Sequence, residues 1–220
     1  EGEMPVSTKK LRSNRAWLER HLSDRWVKLS QKEGYRARSA YKLIQINEKE
    51  HIFHPGMSVV DLGSAPGSWS QVARKLLSRK DGTLDGRIVA MHILPMDPVE
   101  GVDFLQGDFR EQSVCDQLAE IVGDDRVDLV MSDMAPNLSG IAASDASRSM
   151  LLCELALEFA LDHLKPRGVF IAKAFQGSGY SQFVETVKRS FVKVQALKPE
   201  ASRDTSPEQY IVARDLKKSR

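Results

Sequence analysis

From Val59 onward the chain alternates short apolar runs with stretches of helical period, and few folds can bury that pattern. Val59–Leu62, Arg87–Ile93, Asp103–Gln106, Val127–Ser132 and Val169–Phe175 read as strands. Between them, Ser68–Leu77 and Glu111–Val122 read as helices, and Leu152, Leu155, Ala156 and Phe159 mark one apolar face of a third. Lys165-Pro166-Arg167-Gly168 stops that third helix before the next strand. The remaining chain offers a helix over Tyr180–Ser190 and two strands, Phe191–Leu197 and Gln209–Ala213, with no helix between them. Alternation of this kind predicts an α/β fold: a mostly parallel, seven-stranded sheet covered by helices on both faces, ending in one antiparallel strand.

In an open α/β sheet, ligands bind beyond the carboxyl ends of the parallel strands. Asp61, Asp108, Asp133 and Lys173 lie at or just past such ends, and Glu208 opens the last strand, whose start shares that rim if it runs antiparallel. The run Asp61-Leu62-Gly63-Ser64-Ala65-Pro66-Gly67-Ser68-Trp69 reads as a strand, a tight glycine-containing turn and a helix start, which lets a ligand approach backbone. A nicotinamide-binding turn would need G-x-G-x-x-G. Here Ala65 stands where the middle glycine would admit a pyrophosphate, and Pro66 removes a backbone donor. A dinucleotide oxidoreductase is thereby disfavoured. A nucleoside without phosphates and with a cationic amino-acid tail suits the loop better, because Asp61 and Asp133 can neutralise positive charge; S-adenosylmethionine has that shape. Asp108 is placed to accept from an adenine amino group, or else to cap a helix.

Composition narrows the setting. The 220 residues suffice for one well-buried domain with a small appendage. Residues 1–50 hold 12 Lys and Arg against 7 Asp and Glu, whereas the rest holds 20 against 23. Lys9, Lys10, Arg12, Arg15, Arg20, Arg25, Lys28, Lys32, Arg36 and Arg38 are interleaved with Trp17, Trp26 and Tyr35, a mixture suited to phosphate contacts and base stacking, or simply to a solvated helical face. Cys115 and Cys153 lack Cys or His neighbours at ligand spacing and read as reduced core thiols of a cytosolic protein. The scattered histidines suggest no metal site. The most apolar stretch, Met150–Leu161, contains Glu154 and Glu158, so no membrane span is expected.

Four motifs in order, Asp61-Leu62-Gly63-Ser64-Ala65-Pro66-Gly67-Ser68-Trp69-Ser70-Gln71, Gln106-Gly107-Asp108-Phe109, Ser132-Asp133-Met134-Ala135-Pro136-Asn137 and Lys173-Ala174-Phe175-Gln176-Gly177, resemble the FtsJ/RrmJ family of RNA ribose 2′-O-methyltransferases. The likeness runs from about Trp17 to Ala213. It implies a Rossmann-like class I methyltransferase domain over residues 51–220, with residues 1–50 as a basic helical extension. It also implies a Lys-Asp-Lys-Glu catalytic tetrad at Lys42, Asp133, Lys173 and Glu208. S-adenosylmethionine would touch Gly67, Trp69, Asp108 and Asp133, with Asp61 and Gly63 shaping the loop. The implied substrate is a uridine in the A loop of large-subunit ribosomal RNA, met in an assembled or assembling subunit by a cytoplasmic monomer. One departure stands out: where the family carries an acidic residue for the cofactor ribose, Met91-His92-Ile93 places a histidine.

Ribose methylation is an in-line displacement in which a 2′ oxygen attacks a sulfonium methyl, so the hydroxyl proton must leave during or before attack. Lys173 could take that proton, or stay charged and stabilise the developing alkoxide while Asp133 orients the hydroxyl. Simpler readings remain for each member: Lys173 snorkelling from a strand end, Lys42 on a wet helix face, Glu208 as a strand-start charge. Asp133-Met134-Ala135-Pro136-Asn137 lacks the first proline and the aromatic residue of adenine N6 enzymes, and neither cysteine lies where cytosine C5 chemistry would need its nucleophile. Methylation of transfer RNA or of a messenger cap, and a non-catalytic RNA-binding role, are the alternatives.

Overall fold

The computed structural model describes residues 8–137 and 139–218, with side chains from residue 15 onward. Three helices come first: α1 (Thr8–Ser23), α2 (Arg25–Glu33) and α3 (Ala40–Glu50). There follow β1 (Ser58–Leu62), α4 (Ser68–Leu76), β2 (Arg87–His92), β3 (Val102–Gln106), α5 (Gln112–Val122), β4 (Val127–Ser132) and α6 (Ala142–His163). The chain ends with β5 (Leu164–Phe175), α7 (Tyr180–Ser190), β6 (Phe191–Leu197) and β7 (Glu208–Leu216). The sheet order is β3-β2-β1-β4-β5-β7-β6. Strands β1 to β5 pair in parallel, and β7 runs antiparallel to both β5 and β6.

The two-residue period of the strands divides the core into two layers. Val60, Leu62, Val130, Phe170 and Ala172 pack with Leu118 of α5, Ala156 and Ala160 of α6 and Val187 of α7. Val59, Leu129, Met131 and Ile171 point the other way, to Leu43 and Ile46 of α3 and Val72 and Ala73 of α4. A central strand covered on both sides must be apolar at nearly every position, which accounts for the Leu129–Met131 run; Asp128, near the strand's start, accepts from Ser58 N and pairs with Lys165. Although α3 lies in the basic first fifty residues, its Ala40, Leu43 and Ile46 are core residues.

Local signals set the helix ends. Asp24 caps α2 by accepting from the Trp26 and Val27 amides, and Gly34 ends that helix in the left-handed region at φ 82°. At the end of α3, the Asn47 side chain accepts from the amides of Ile52 and Phe53. One boundary differs from the sequence expectation. The helix before β5 does end ahead of Lys165, but pairing resumes at once: Leu164 lies opposite Val127, and the register then shifts so that Val169 meets Leu129. Pro166, with no N–H to donate, sits inside this irregular stretch rather than in a loop.

Candidate active site

The topology brings the predicted rim residues to one edge. Asp61 is the penultimate residue of β1, Asp133 follows β4, Lys173 lies two residues before the end of β5, and Glu208 opens β7. Antiparallel pairing sets Phe175 opposite Glu208 and Lys173 opposite Tyr210. Helix α3, packed beneath, delivers Lys42 from the other layer.

Two ion pairs result. Lys42 Nζ donates to Glu208 Oε1 at 2.5 Å, and Lys173 Nζ lies 3.4 Å from Asp133 Oδ1. All four side chains are nearly withdrawn from solvent: 11% and 7% exposed in the first pair, 12% and 17% in the second. Burial works against ionising Glu208, but the Lys42 ammonium outweighs it and holds the carboxyl below its ordinary value.

Tyr210, which the sequence pattern did not single out, joins the pairs. Its buried hydroxyl donates to Asp133 Oδ1 at 2.8 Å, and its ring lies 6.0 Å from Lys42 Nζ and 5.7 Å from the Trp69 ring. Burial, reinforced by Asp133, raises the Tyr210 hydroxyl far above its ordinary value, so it remains a donor. Its position two residues after Glu208 was the available signal, since alternate residues of a strand share a face.

Beside the tetrad opens a cavity of about 570 Å³, lined by Gly63, Ala65, His92, Asp108, Asp133 and Met134, among others. Gly63 (φ 77°) cannot carry a side chain: a Cβ there would lie 2.5 Å from Met134 Cγ and 3.0 Å from Met134 Cα. Asp61 is fully buried behind the turn. Its Oδ2 accepts from Ser70 Oγ at 2.7 Å, while Oδ1 has no partner among the described residues. Burial pushes this carboxyl up to about 7, with the Ser70 hydroxyl opposing the rise and the charge of Asp133 adding to it. Folded protein therefore keeps a proton that unfolded chain releases near pH 3.8, so stability should fall as pH rises from there to about 7 and then level off. Denaturation midpoints across that range should show this slope, and Asp61→Asn should flatten it.

The other expected cofactor residues are arranged differently. Asp108 lines the cavity but is tied to Arg110, accepting from its backbone N at 2.9 Å and from Nη2 at 2.7 Å, and that guanidinium holds the carboxyl below its usual range. It does not cap α5, whose cap residue is Glu111. Trp69 is buried in the α3/α4 layer, away from the cavity lining, and its Nε1 donates to Ser39 O at 2.9 Å. Gly67 lies beneath Arg36, whose Nη1 donates to Pro66 O at 2.9 Å and Asp97 O at 2.5 Å, while Nη2 donates to Pro98 O at 2.7 Å.

Arg36 thus clamps two loops of the site instead of standing free for RNA. Arg38 is likewise engaged, pairing with Asp24 at 3.1 Å and donating to Ala201 O at 2.7 Å. Trp26 and Tyr35 both pack against Tyr41, at 5.3 and 5.7 Å, whereas Trp17 is 51% exposed. Arg15, Arg20, Arg25, Lys28 and Lys32 are exposed, and the side chains of Lys9, Lys10 and Arg12 lie outside the described residues. Both cysteines are free thiols; Cys153 is buried against Lys173 O and pushed up to about 12 by burial, while Cys115 is half-buried. Among the described residues no cluster of three or more metal-ligating side chains forms, and no helix is long and apolar enough to cross a membrane.

Known proteins carry the same chain pattern. The family described as "FtsJ-like methyltransferase" matches residues 35–216. A protein from Bordetella pertussis named "Ribosomal RNA large subunit methyltransferase E" is 57% identical over 201 residues, covering 91% of this chain and 96% of that protein. A Paraburkholderia phymatum protein of the same name is 54% identical over 214 residues, covering 94% and 97%. A crystal structure from Plasmodium falciparum, described as a ribosomal RNA methyltransferase, superposes with a TM-score of 0.72 at 28% identity over 83% of this chain and 98% of that one. With a match over most of its length and relatives above half identity, the chain belongs to the FtsJ-like methyltransferase family.

Proposed function

We propose that this protein transfers a methyl group from S-adenosylmethionine to a ribose 2′-hydroxyl of large-subunit ribosomal RNA, in the A loop at a uridine, acting in the cytoplasm as a monomer on an assembled or assembling subunit. The observation that carries this reading is the meeting of Lys42, Asp133, Lys173 and Glu208 as two nearly buried ion pairs, of which Asp133 reaches the lining of an adjacent cavity sized for a nucleoside. The names of the relatives support the substrate class.

The residues present fit the methyl donor. Gly63 keeps the loop open, and the Asp133 carboxylate at the cavity lining gives the site a bias toward positive charge. Gly63, Ala65, Asp108 and Asp133 would hold the donor, with Gly67 and Trp69 supporting the loop from behind. When bound, S-adenosylmethionine supplies an electrophilic methyl on a sulfonium. What the protein adds is placement and proton handling. Lys173, fixed by Asp133, manages the hydroxyl proton: as a neutral amine it accepts the proton itself, and as an ammonium it stabilises the developing alkoxide while the neighbouring Asp133 carboxylate takes the proton. Tyr210 fixes Asp133 by donating to Oδ1 at 2.8 Å, and Lys42 and Glu208 hold each other in a nearly buried pair across from the Tyr210 ring. Holding oxygen and methyl in line supplies further acceleration, since oriented pairs reach effective molarities on the order of 10⁵ M or more.

Donor carrying a labelled methyl group, incubated in parallel with large subunits, free ribosomal RNA and transfer RNA lacking the modification, tests the substrate. Label should enter large-subunit RNA; label confined to transfer RNA would replace the reading. Electrostatic attraction by the basic front makes a separate prediction. Deleting residues up to Arg20 should weaken RNA binding and flatten its salt dependence, by about 0.7–0.9 in log–log slope for each phosphate that the shortened chain no longer neutralises. An unchanged slope in filter-binding titrations would assign that charge to a solvated face.

A further inference from the structure

Resting on the S-adenosylmethionine reading, we propose that Arg36 is a positioning residue for methyl transfer. With Gln71 it clasps the segment leading into α3 to the loop after β1, so that one guanidinium sets both the donor cavity and the placement of Lys42. Each of the two side chains holds the other segment's backbone. Gln71, on α4, accepts from Arg36 N at 2.9 Å through Oε1 and donates to Gly34 O at 3.2 Å through Nε2. Arg36 in turn donates to the carbonyls of Pro66, Asp97 and Pro98. The seam continues toward α3, where Ser39 Oγ lies 2.6 Å from Ser68 Oγ and the Trp69 indole donates to Ser39 O.

These carbonyls need such a partner. Residues 95–99 belong to neither helix nor strand, so their backbone has no ladder to pair with. A guanidinium can serve several loop carbonyls at once because its donors form a rigid planar fork, which a lysine ammonium lacks. Close approach also depends on Gly67, where a Cβ would lie 2.7 Å from Arg36 Nη1. The two clasped loops line the cavity, one through Gly63 and Ala65 and the other through Ile93 and Leu94. On the α3 side, Lys42 N donates to Ser39 O at 3.1 Å, so the tetrad amine stands on the same seam.

Two effects follow from releasing the clasp. The donor would have to order both loops itself, and its apparent affinity would fall with the fraction of molecules already in the competent arrangement. Lys42 would also lose its fixed distance to the donor. A phosphate contact, the rival role for an arginine in a basic segment, behaves differently under substitution. Lysine keeps the charge that a phosphate reads but loses the fork that the carbonyls require.

The test compares the unsubstituted chain with Arg36→Met and Arg36→Lys, using calorimetry with S-adenosylhomocysteine, filter binding of large-subunit ribosomal RNA across salt concentrations, and single-turnover methyl transfer. Affinity for S-adenosylhomocysteine should fall at least about tenfold in Arg36→Met, the size of one charged hydrogen bond, and should also fall in Arg36→Lys. The salt slope of RNA binding should be the same in all three. At saturating donor, transfer by Arg36→Met should stay slow, by up to about 10²-fold, the cost of a misplaced group. Free guanidinium ion at millimolar concentration should restore part of the donor affinity of Arg36→Ala, a rescue that loss of general stability would not permit. Unchanged donor affinity in Arg36→Lys and Arg36→Met, with a salt slope lowered by about 0.7–0.9 in Arg36→Met alone, would make Arg36 a phosphate contact and overturn the inference while leaving the methyltransferase reading intact. A transfer rate that recovers fully at saturating donor would overturn the link to Lys42. No binding of S-adenosylhomocysteine to the unsubstituted chain would remove both readings.

Discussion

Lys173→Ala should reduce methyl transfer by at least about 10²-fold, the lower end of what proton handling by a placed group contributes, while leaving cofactor affinity within about twofold. The separation follows from where the amine sits. Lys173 projects from β5 toward Asp133 and over the Phe175 ring at 5.9 Å, and it is not among the residues lining the cavity. Asp133 keeps the Tyr210 hydroxyl as a donor after the substitution, so the cavity wall retains its shape. Single-turnover rates with calorimetry on the same preparation check both halves. Turnover at the unsubstituted rate would remove Lys173 from the chemistry, and abolished binding would make it a structural support.

The second large effect concerns stability. Glu208→Ala should cost about 3–5 kcal/mol, because it strands the Lys42 ammonium in a nearly buried position without its partner. Replacing both members with apolar residues, Lys42→Met with Glu208→Leu, should recover most of that loss, since neither desolvated charge remains. Activity should stay lost in the double variant, which distinguishes a pair kept for function from one kept for folding. The pH dependence has a definite sign. The folded value of Glu208 lies below its ordinary one, so its stabilisation is complete above the ordinary glutamate value and disappears as pH falls through the folded value. Urea midpoints of the single and double variants measure all of this; equal losses in both would contradict the ion-pair account.

Much of this arrangement was readable from residue order. Strand and helix periods gave seven strands and an antiparallel end, because a parallel sheet needs apolar runs separated by crossover helices, and the protein has that topology. The same periods placed Asp61, Asp108, Asp133, Lys173 and Glu208 at one rim, where they lie. What escaped was pairing across long separations. Nothing local to Arg36 indicates that its guanidinium is occupied by the carbonyls of Pro66, Asp97 and Pro98, so it counted toward an RNA surface. The family resemblance implied Trp69 as a ligand contact; in the structure its amphipathic helix packs the indole in the α3/α4 layer, where Nε1 donates to Ser39 O. Tyr210 was hidden because its role depends on the antiparallel register with Lys173. Charge composition set the first fifty residues apart, whereas burial puts α3 in the core, since an amphipathic helix can carry Lys42 and Lys49 and still bury Leu43 and Ile46.

The central claim is that two amines and two carboxyls act on one sugar oxygen. Alkaline digestion of RNA methylated by the purified protein with labelled donor tests it most directly, because a 2′-O-methyl group blocks the attack that cleaves the adjoining linkage. Label recovered in alkali-resistant dinucleotides is the predicted result, and label recovered in mononucleotides, the product of base methylation, would contradict it.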